Sequence, residues 1–323
     1  MTTCADAGTA ATGARPSWFQ LWRYSWRIRR PEFLLAELPM FLLPAVILAD
    51  SPSHLISNTN LIAALVGIVL IFHMMDMINC LADRDLDAAF KSRLSKAVYA
   101  LGATNIRWQM AISTIVGFGI LTYLAKVTGH WDIVPLALLN IFFGAQYSVK
   151  PLFLKSAGLW QILAEWGILF GLPMTIVARM FPLTPGWELF LMIVMFGMIQ
   201  QGIILVNIAE DVPDDRKFGL RTAAIALGYP RVFVVAVAMV AVGGIGFLTA
   251  LLMFGLPLWG TLLFLAAWGW VVVHITGTLT RVRGKEFDAA LAIVRTRSPL
   301  VAVQLTLTAW SGLATVVITA LSR

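Results

Sequence analysis

Two polar triplets with the same internal spacing interrupt an otherwise apolar chain. NCLADRDLD, Asn79 to Asp87, ends one long apolar run, and NIAEDVPDD, Asn207 to Asp215, ends another. Both read Asn-x3-Asp-x3-Asp. Residues four apart stay near one face of a helix and drift by about 40° per step, so each triplet can point its oxygens in one direction.

The triplets offer the oxygen ligands that Mg²⁺ prefers, without a Cys or His cluster. Pro213 is expected to end the second helix, which places Asp215 on the following loop. Two such groups facing each other would hold two or more Mg²⁺ ions around a diphosphate. We expect Asp83 and Asp211 to be catalytic. The candidate metal ligands are Asn79, Asp83, Asp87, Asn207, Asp211 and Asp215.

Basic residues near the triplets could neutralise the remaining phosphate charge. A diphosphate held at the mouth of an apolar membrane cavity points to a prenyl diphosphate, whose ionisation leaves an allylic carbocation. Aromatic faces stabilise such a cation, and the 12 Trp and 19 Phe supply candidates. The candidate diphosphate ligands are Lys91, Arg93, Lys150, Lys155, Arg216 and Lys217.

The composition of the chain is that of a membrane protein. Of 323 residues, 59% are hydrophobic and 13% are charged, whereas a soluble chain averages roughly 25% charged residues. A transmembrane helix needs roughly 20 mostly apolar residues. The sequence predicts nine, at residues 32–50, 58–82, 104–126, 131–149, 158–180, 186–209, 230–254, 257–279 and 298–320.

Residues 17–30, before the first span, mix Trp, Phe and Leu with Arg. This pattern predicts an interfacial amphipathic helix on an anionic leaflet. We therefore expect a cytoplasmic N-terminal segment, 1–30, and a transmembrane domain, 31–323. The two cysteines, Cys4 and Cys80, are too few for a disulfide framework or a cysteine metal site.

Positive charge is distributed unevenly along the chain. We number the predicted spans 1 to 9 in chain order. Of 24 Lys and Arg residues, 21 fall in the N-terminal segment and in the connections between spans 2 and 3, 4 and 5, 6 and 7, and 8 and 9. The positive-inside rule puts these segments, the N-terminus and both triplets in the cytoplasm. The net charge of +7 thus belongs to a membrane face, so lipid is an expected partner and nucleic acid is not.

The similarity of the two triplets continues beyond them. FKSRLSKAVYALG, residues 90–102, and RKFGLRTAAIALG, residues 216–228, both pass through basic residues to an Ala-Leu-Gly ending. We infer an internal duplication of a helix pair with its loop. The predicted fold is therefore all-α, polytopic, with nine transmembrane helices around a central cavity.

With these motifs, the chain resembles the UbiA superfamily of intramembrane prenyltransferases. That family has nine transmembrane helices and Asp-rich motifs on helices 2 and 6; Asn79, Asp83 and Asp87 match the first, and Asp211 and Asp215 the second. YSVKPLFLK, Tyr147 to Lys155, is similar to the family's Tyr-containing motif after helix 4. The resemblance covers roughly residues 20–320. It implies Mg²⁺ as cofactor and Tyr147 as a catalytic, diphosphate-binding residue.

The chain departs from the family pattern at three places. Cys80 stands where the family usually has a second Asp, and Pro151 stands where its Lys is expected, which leaves Lys150 or Lys155 to serve. KSRLSKAV lacks the Arg-Pro-x-x-Ser-Gly pattern common in quinone-pathway members. These differences bear on the acceptor and on whether the reaction has one.

Three functions fit these observations. The first is a prenyltransferase that alkylates a lipophilic acceptor, aromatic or polyprenoid, with Asp76 and Glu165 as intramembrane candidates for contacting it. The second is a terpene cyclase, in which the cation is quenched within its own chain. The third, ranked well below, is a cation-coupled transporter, which the clustering of carboxylates at one membrane face disfavours. Prenyl chain length, acceptor and oligomeric state are not specified by the sequence.

Overall fold

The computed structural model describes residues 16–49, 51–90, 92–182 and 186–322. Within these ranges the chain is helical and has no strand. Eight helical segments are long and apolar enough to cross a membrane, and a ninth apolar helix, Ile133–Ser148, has 16 residues. At 1.5 Å per residue that ninth helix is about 24 Å long, shorter than the bilayer core of about 30 Å.

The nine segments agree with the prediction in order and position, which confirms the all-α membrane fold. Numbered as spans 1 to 9, they are Pro31–Leu48, Thr59–Ala82, Ala103–Thr128, Ile133–Ser148, Trp160–Ala178, Trp187–Glu210, Arg231–Met253, Trp259–Val282 and Leu300–Leu321. Shorter helices lie between them or before them: Trp18–Arg27, Pro52–Ser57, Arg84–Phe90, Ser92–Leu101, Val212–Lys217, Ala223–Leu227 and Phe287–Arg297.

Glycines let two pairs of spans pack backbone against backbone. A Cβ added to Gly117 in span 3 would lie 2.8 Å from the Gly67 carbonyl oxygen of span 2. In the same way, a Cβ on Gly243 in span 7 would lie 2.7 Å from the Met195 carbonyl oxygen of span 6. In a membrane no hydrophobic force drives helices together, so contacts between helices rely on small residues that let the two backbones approach closely. Each triplet-bearing span is therefore paired with the span that follows it.

The two repeated segments share a backbone conformation as well as a sequence. The glycines of both Ala-Leu-Gly endings have positive φ, 76° at Gly102 and 70° at Gly228. Gly102 comes directly before span 3, and two residues separate Gly228 from the start of span 7. With ψ of 146° and 166°, both lie in a region that only glycine enters readily. This shared turn supports the inferred duplication.

The basic segments meet at one end of the bundle, here called the motif face because spans 2 and 6 end there. The 4–5 connection reaches the 6–7 connection through Ser156 Oγ, which accepts from the Arg221 amide at 2.8 Å. The 8–9 connection contributes Arg295, 4.0 Å from Asp214. The helix Trp18–Arg27 packs on the 2–3 connection, and Arg27 lies 3.5 Å from the Arg93 carbonyl.

Candidate active site

A cavity of about 370 Å³ lies between spans 1, 2, 4, 5, 6 and 9. All six predicted metal ligands line it, at the motif face. Its other walls are largely apolar and include Phe33, Phe72 and Phe170. No Trp lines it among the described residues, because the tryptophans lie elsewhere, many of them exposed on the outer surface. The aromatic residues that line the cavity are thus Phe residues and Tyr147.

The first triplet crosses a helix end. Span 2 ends at Ala82, Asp83 is its C-cap, and Asp87 lies on the next helix, Arg84–Phe90. The spacing nevertheless stays helical, because the Asp83 amide donates to Asn79 (2.9 Å) and the Asp87 amide to Asp83 (2.7 Å). The three side chains therefore share one direction, as the spacing predicts.

The second triplet repeats this arrangement. Span 6 ends at Glu210, before Pro213, and Asp211 is its C-cap. Asp215 lies on the short helix Val212–Lys217, and the expectation that it would lie on a loop was wrong. The physical reason is that proline is tolerated in the first turn of a helix, where its missing N–H has no partner. The Asp215 amide donates to Asp211 at 2.9 Å.

The donor chemistry of this cavity fits Mg²⁺ shared with a phosphate substrate. Among the described residues, no three His, Cys, Asp or Glu side chains converge into one ready metal site. Mg²⁺ does not require one, because it commonly takes one or two carboxylates and completes its shell with waters and substrate phosphate oxygens. The two triplets, on separate walls, supply such partial sets.

The surroundings of Asp215 disfavour its charged form. Burial and the neighbouring carboxylates Asp211 and Asp83 raise its pKa to about 6, although the charge of Lys155 opposes the shift. The carboxylates of the two motifs are thus close enough to repel one another. A cation bound between them would relieve this repulsion.

Lys155 is the one predicted cationic diphosphate ligand, among the described residues, that lines the cavity. Its Nζ lies 2.5 Å from Asp83 Oδ2. Phe153, two residues before Lys155, has φ 44°, a left-handed conformation that is uncommon outside glycine. This turn directs the 4–5 connection back over the first triplet. Of the two lysines that the sequence left open, Lys155 lines the cavity and Lys150 is exposed, and which of them binds diphosphate stays a prediction.

The other predicted cations that the structure describes lie outside the cavity lining. Lys150 is exposed, and Arg93 lines a different pocket. Arg216 stacks over Phe287, 4.8 Å from the ring centroid, and Lys217 lies 3.5 Å from Asp214. Lys91 is outside the described residues. For these four described residues and for Lys91, a role in diphosphate binding stays a prediction.

A buried hydrogen-bond network holds Tyr147 and Glu165 in the cavity wall. The Tyr147 hydroxyl and the Gln161 (3.0 Å) and Gln201 (2.6 Å) amides all donate to the Glu165 carboxylate. Three donors and no acceptor are the partners of an ionised carboxylate. Gln161 also accepts from the Ala223 amide at 2.7 Å, which links the network to the short helix Ala223–Leu227 after the second triplet.

The span that carries Glu165 is irregular just beyond it. Residues Gly167–Gly171 form a π-helical turn, and Ile168, Leu169 and Phe170 all line the cavity. A π turn adds a residue to one turn of helix and is frequent at functional sites. Here it exposes three consecutive side chains to the cavity.

A second set of charged residues lines the wall formed by spans 1 and 2. Asp76 lies there as predicted, together with Glu37 and Arg30. Arg30 has φ 48° and was not expected in the site, because sequence alone groups it with the basic interfacial segment. Its position directly before Pro31, at the start of span 1, was the one available signal.

Cys80 faces away from the cavity. It is fully buried, its Sγ lies 3.6 Å from the Ile28 carbonyl, and it packs with Met77 and Val98. The position at which the family usually has a second Asp therefore contributes nothing to the cavity wall here. The Cys replacement leaves the two facing triplets intact.

Comparisons with known proteins bear on the family and on the fold. A family model described as the UbiA prenyltransferase family matches residues 38–294, whereas no curated protein matches. A solved structure concerned with digeranylgeranylglyceryl phosphate synthase in membranes is 11% identical, with TM-score 0.66 over 92% of this chain and 99% of that one.

Two further structures are of a UbiA homologue from Archaeoglobus fulgidus. The one bound to DMAPP and Mg²⁺ has TM-score 0.63 and 13% identity, and the one bound to GPP and Mg²⁺ has TM-score 0.60 and 12% identity. Each comparison covers 90% of this chain and 99% of the other. At this identity the similarity establishes the fold.

Proposed function

Because the chain belongs to the UbiA prenyltransferase family, we propose that it is an Mg²⁺-dependent intramembrane prenyltransferase. In this proposal it ionises a prenyl diphosphate and transfers the prenyl group to a lipophilic acceptor, aromatic or polyprenoid. The observation that carries the proposal is the pair of acidic triplets lining one cavity whose remaining walls are largely apolar. The prenyl diphosphates and Mg²⁺ in the A. fulgidus structures support the same reading.

The triplets and Lys155 would hold the polar end of the substrate. Asn79, Asp83 and Asp87 on one wall and Asn207, Asp211 and Asp215 on the other would ligate the metal ions. When bound, Mg²⁺ supplies Lewis acidity that stabilises the departing diphosphate. Lys155 supplies one fixed positive charge beside the first triplet.

The apolar part of the cavity would protect the allylic cation. The bond between carbon and the diphosphate oxygen breaks, and its electron pair leaves with the diphosphate. Phe33, Phe72 and Phe170 offer aromatic faces and exclude water. The Glu165 carboxylate, fixed by three donors, faces the same space. A fixed negative charge in a low-dielectric cavity stabilises a cation strongly.

The acceptor would enter against the wall of spans 1 and 2. Its nucleophilic carbon or oxygen forms the new bond, and its proton passes to a carboxylate in that wall. Asp76 and Glu37 are the carboxylates available there. By the positive-inside rule, the motif face and the N-terminus are assigned to the cytoplasmic side.

The test uses purified protein with Mg²⁺ and a panel of C10–C20 prenyl diphosphates, with and without a membrane lipid extract. Pyrophosphate release and organic-extractable products are measured. We expect a prenylated product only when the extract is present. A cyclic hydrocarbon or alcohol formed from the diphosphate alone would show that the enzyme is a terpene cyclase and not a prenyltransferase. If no diphosphate is consumed under any condition, the proposal is wrong.

A further inference from the structure

A second pocket lies on the motif face, apart from the cavity. It has a volume of about 300 Å³ and lies between the helices Trp18–Arg27 and Ser92–Leu101. One helix contributes four residues at i, i+3, i+4 and i+7, and the other contributes two at i and i+3, so each presents a single face. The lining residues are Gln20, Arg23, Tyr24, Arg27, Arg93 and Lys96.

The two helices that form this pocket are fixed to each other and to the bundle. Arg27 lies 3.5 Å from the Arg93 carbonyl, and Ser25 Oγ donates to Gln109 of span 3 at 2.7 Å. Ile28, at the end of the first helix, is fully buried. A capping box at Ser17 and Gln20 fixes the other end of that helix. The pocket is therefore a built feature of the fold.

The charge of this pocket has one sign. Four of its six residues are cationic, and in the described part of the chain none of the four lies within 4.0 Å of a carboxylate. Like charges held together repel, so an anion at their centre would stabilise the arrangement. Arg guanidinium groups, a Tyr hydroxyl and a Gln amide can all donate to phosphate oxygens.

The neighbouring face of the first helix indicates where this pocket lies. Trp18, Phe19, Trp22 and Trp26 are exposed by 78%, 51%, 56% and 47%. Exposed aromatic residues on a basic amphipathic helix favour the boundary between headgroups and acyl chains. The pocket beside them is then at the depth of lipid phosphate groups.

We propose that this pocket binds the headgroup phosphate of an anionic phospholipid. The phosphate would lie among Arg23, Arg27, Arg93 and Lys96, and the acyl chains would pass beside the exposed tryptophans. Free phosphate or pyrophosphate shares the same chemistry, but only a lipid also uses the aromatic face. Leu94, between Arg93 and Lys96, lines the larger cavity. A bound lipid would therefore brace the connection that follows the first triplet, a consequence that rests on the proposed function.

The test is native mass spectrometry of the full-length protein in detergent with an equimolar mixture of phosphatidylglycerol and phosphatidylcholine. We expect wild type to retain one phosphatidylglycerol preferentially. The double variant R93Q/K96Q should lower its retention about tenfold, since each basic residue near an anionic headgroup contributes appreciably. The matched control is R283Q/K285Q, which removes the same charge from exposed residues of the 8–9 connection.

A single variant tests the site even if the double variant R93Q/K96Q fails to fold. Arg23→Gln removes an exposed cation from the other wall of the pocket and should also lower retention. Equal retention of both lipids by wild type, or an equal loss in R283Q/K285Q, would overturn the site. Displacement of the lipid by micromolar pyrophosphate would show a soluble phosphate site instead. No arm of this test uses a prenyl diphosphate, so its outcome is independent of the proposed enzyme activity.

Discussion

The side chains of each triplet share one direction because each triplet continues the i to i−4 hydrogen-bond pattern past the end of its span, and both triplets line the same cavity. The spacing alone was enough to predict that shared direction and all six cavity positions. It did not predict the break after Ala82 or the short helix that carries Asp215. Those depend on capping and on Pro213, whose position in a first helical turn cannot be distinguished locally from a helix stop.

Long cationic side chains were the least predictable part of the site. Of the predicted cations only Lys155 lines the cavity in the described structure, and Arg30 lines it unexpectedly. A Lys or Arg near a triplet in sequence can turn toward solvent, lipid or an aromatic ring, as Arg216 does over Phe287. Sequence proximity therefore says little about where the charge lies.

Lys155→Gln should strengthen the binding of metal and weaken the binding of prenyl diphosphate. Without the ammonium 2.5 Å from Asp83, Mn²⁺, used as a paramagnetic probe, should bind more tightly in the absence of substrate. The KM for prenyl diphosphate should rise about tenfold, because a charge-assisted contact is lost. Lys150→Gln, exposed and outside the cavity, is the control. Weaker Mn²⁺ binding in Lys155→Gln would contradict this account.

Glu165→Gln should lower kcat about tenfold or more while the KM for prenyl diphosphate changes less than about twofold. The amide keeps the shape but removes the negative charge that faces the cation. Gln200→Met is the control, because Gln200 is buried nearby in span 6 but does not line the cavity. Steady-state kinetics measure both constants. An unchanged kcat in Glu165→Gln would show that the charge of Glu165 does not stabilise the cation.

At the scale of helices, the hydrophobic pattern was sufficient to locate the spans, because each is apolar and bounded by polar connections, and eight of the nine are long. The pattern could not reveal the π turn in span 5 or the shortness of span 4. Both depend on packing between helices, which has no simple signature in one span. The paired spans, by contrast, have a local cause in their glycines.

Gly117→Ala should destabilise the protein by about 1–3 kcal/mol, because its Cβ would meet the Gly67 carbonyl oxygen at 2.8 Å. Gly119→Ala, two residues away on the same helix, meets nothing within 4 Å. It should be neutral or stabilising by up to about 1 kcal/mol, since alanine favours helix. Thermal unfolding in detergent compares the two. Equal melting temperatures would show that spans 2 and 3 are not in backbone contact.

At the scale of the whole molecule, charge asymmetry predicts the orientation in the membrane. In a Cys4→Ser background, Lys126→Cys at the end of span 3 should react with a membrane-impermeant maleimide added to intact cells. Lys285→Cys, in the 8–9 connection on the motif face, should react only after permeabilisation. Both side chains are exposed. The opposite labelling pattern would invert the assignment of the active site to the cytoplasmic side.

The measurement that tests the central claim most directly is Mg²⁺-dependent pyrophosphate release from a prenyl diphosphate by wild type, Asp83→Asn and Asp211→Asn. Asp85→Asn is the matched control, because Asp85 is an exposed carboxylate of the same connection and does not line the cavity. We expect wild type and Asp85→Asn to be active, with release abolished by EDTA. Each of Asp83→Asn and Asp211→Asn should lose activity about a hundredfold or more while remaining folded. Retained activity in both would contradict the assignment of the facing triplets as the metal and diphosphate site.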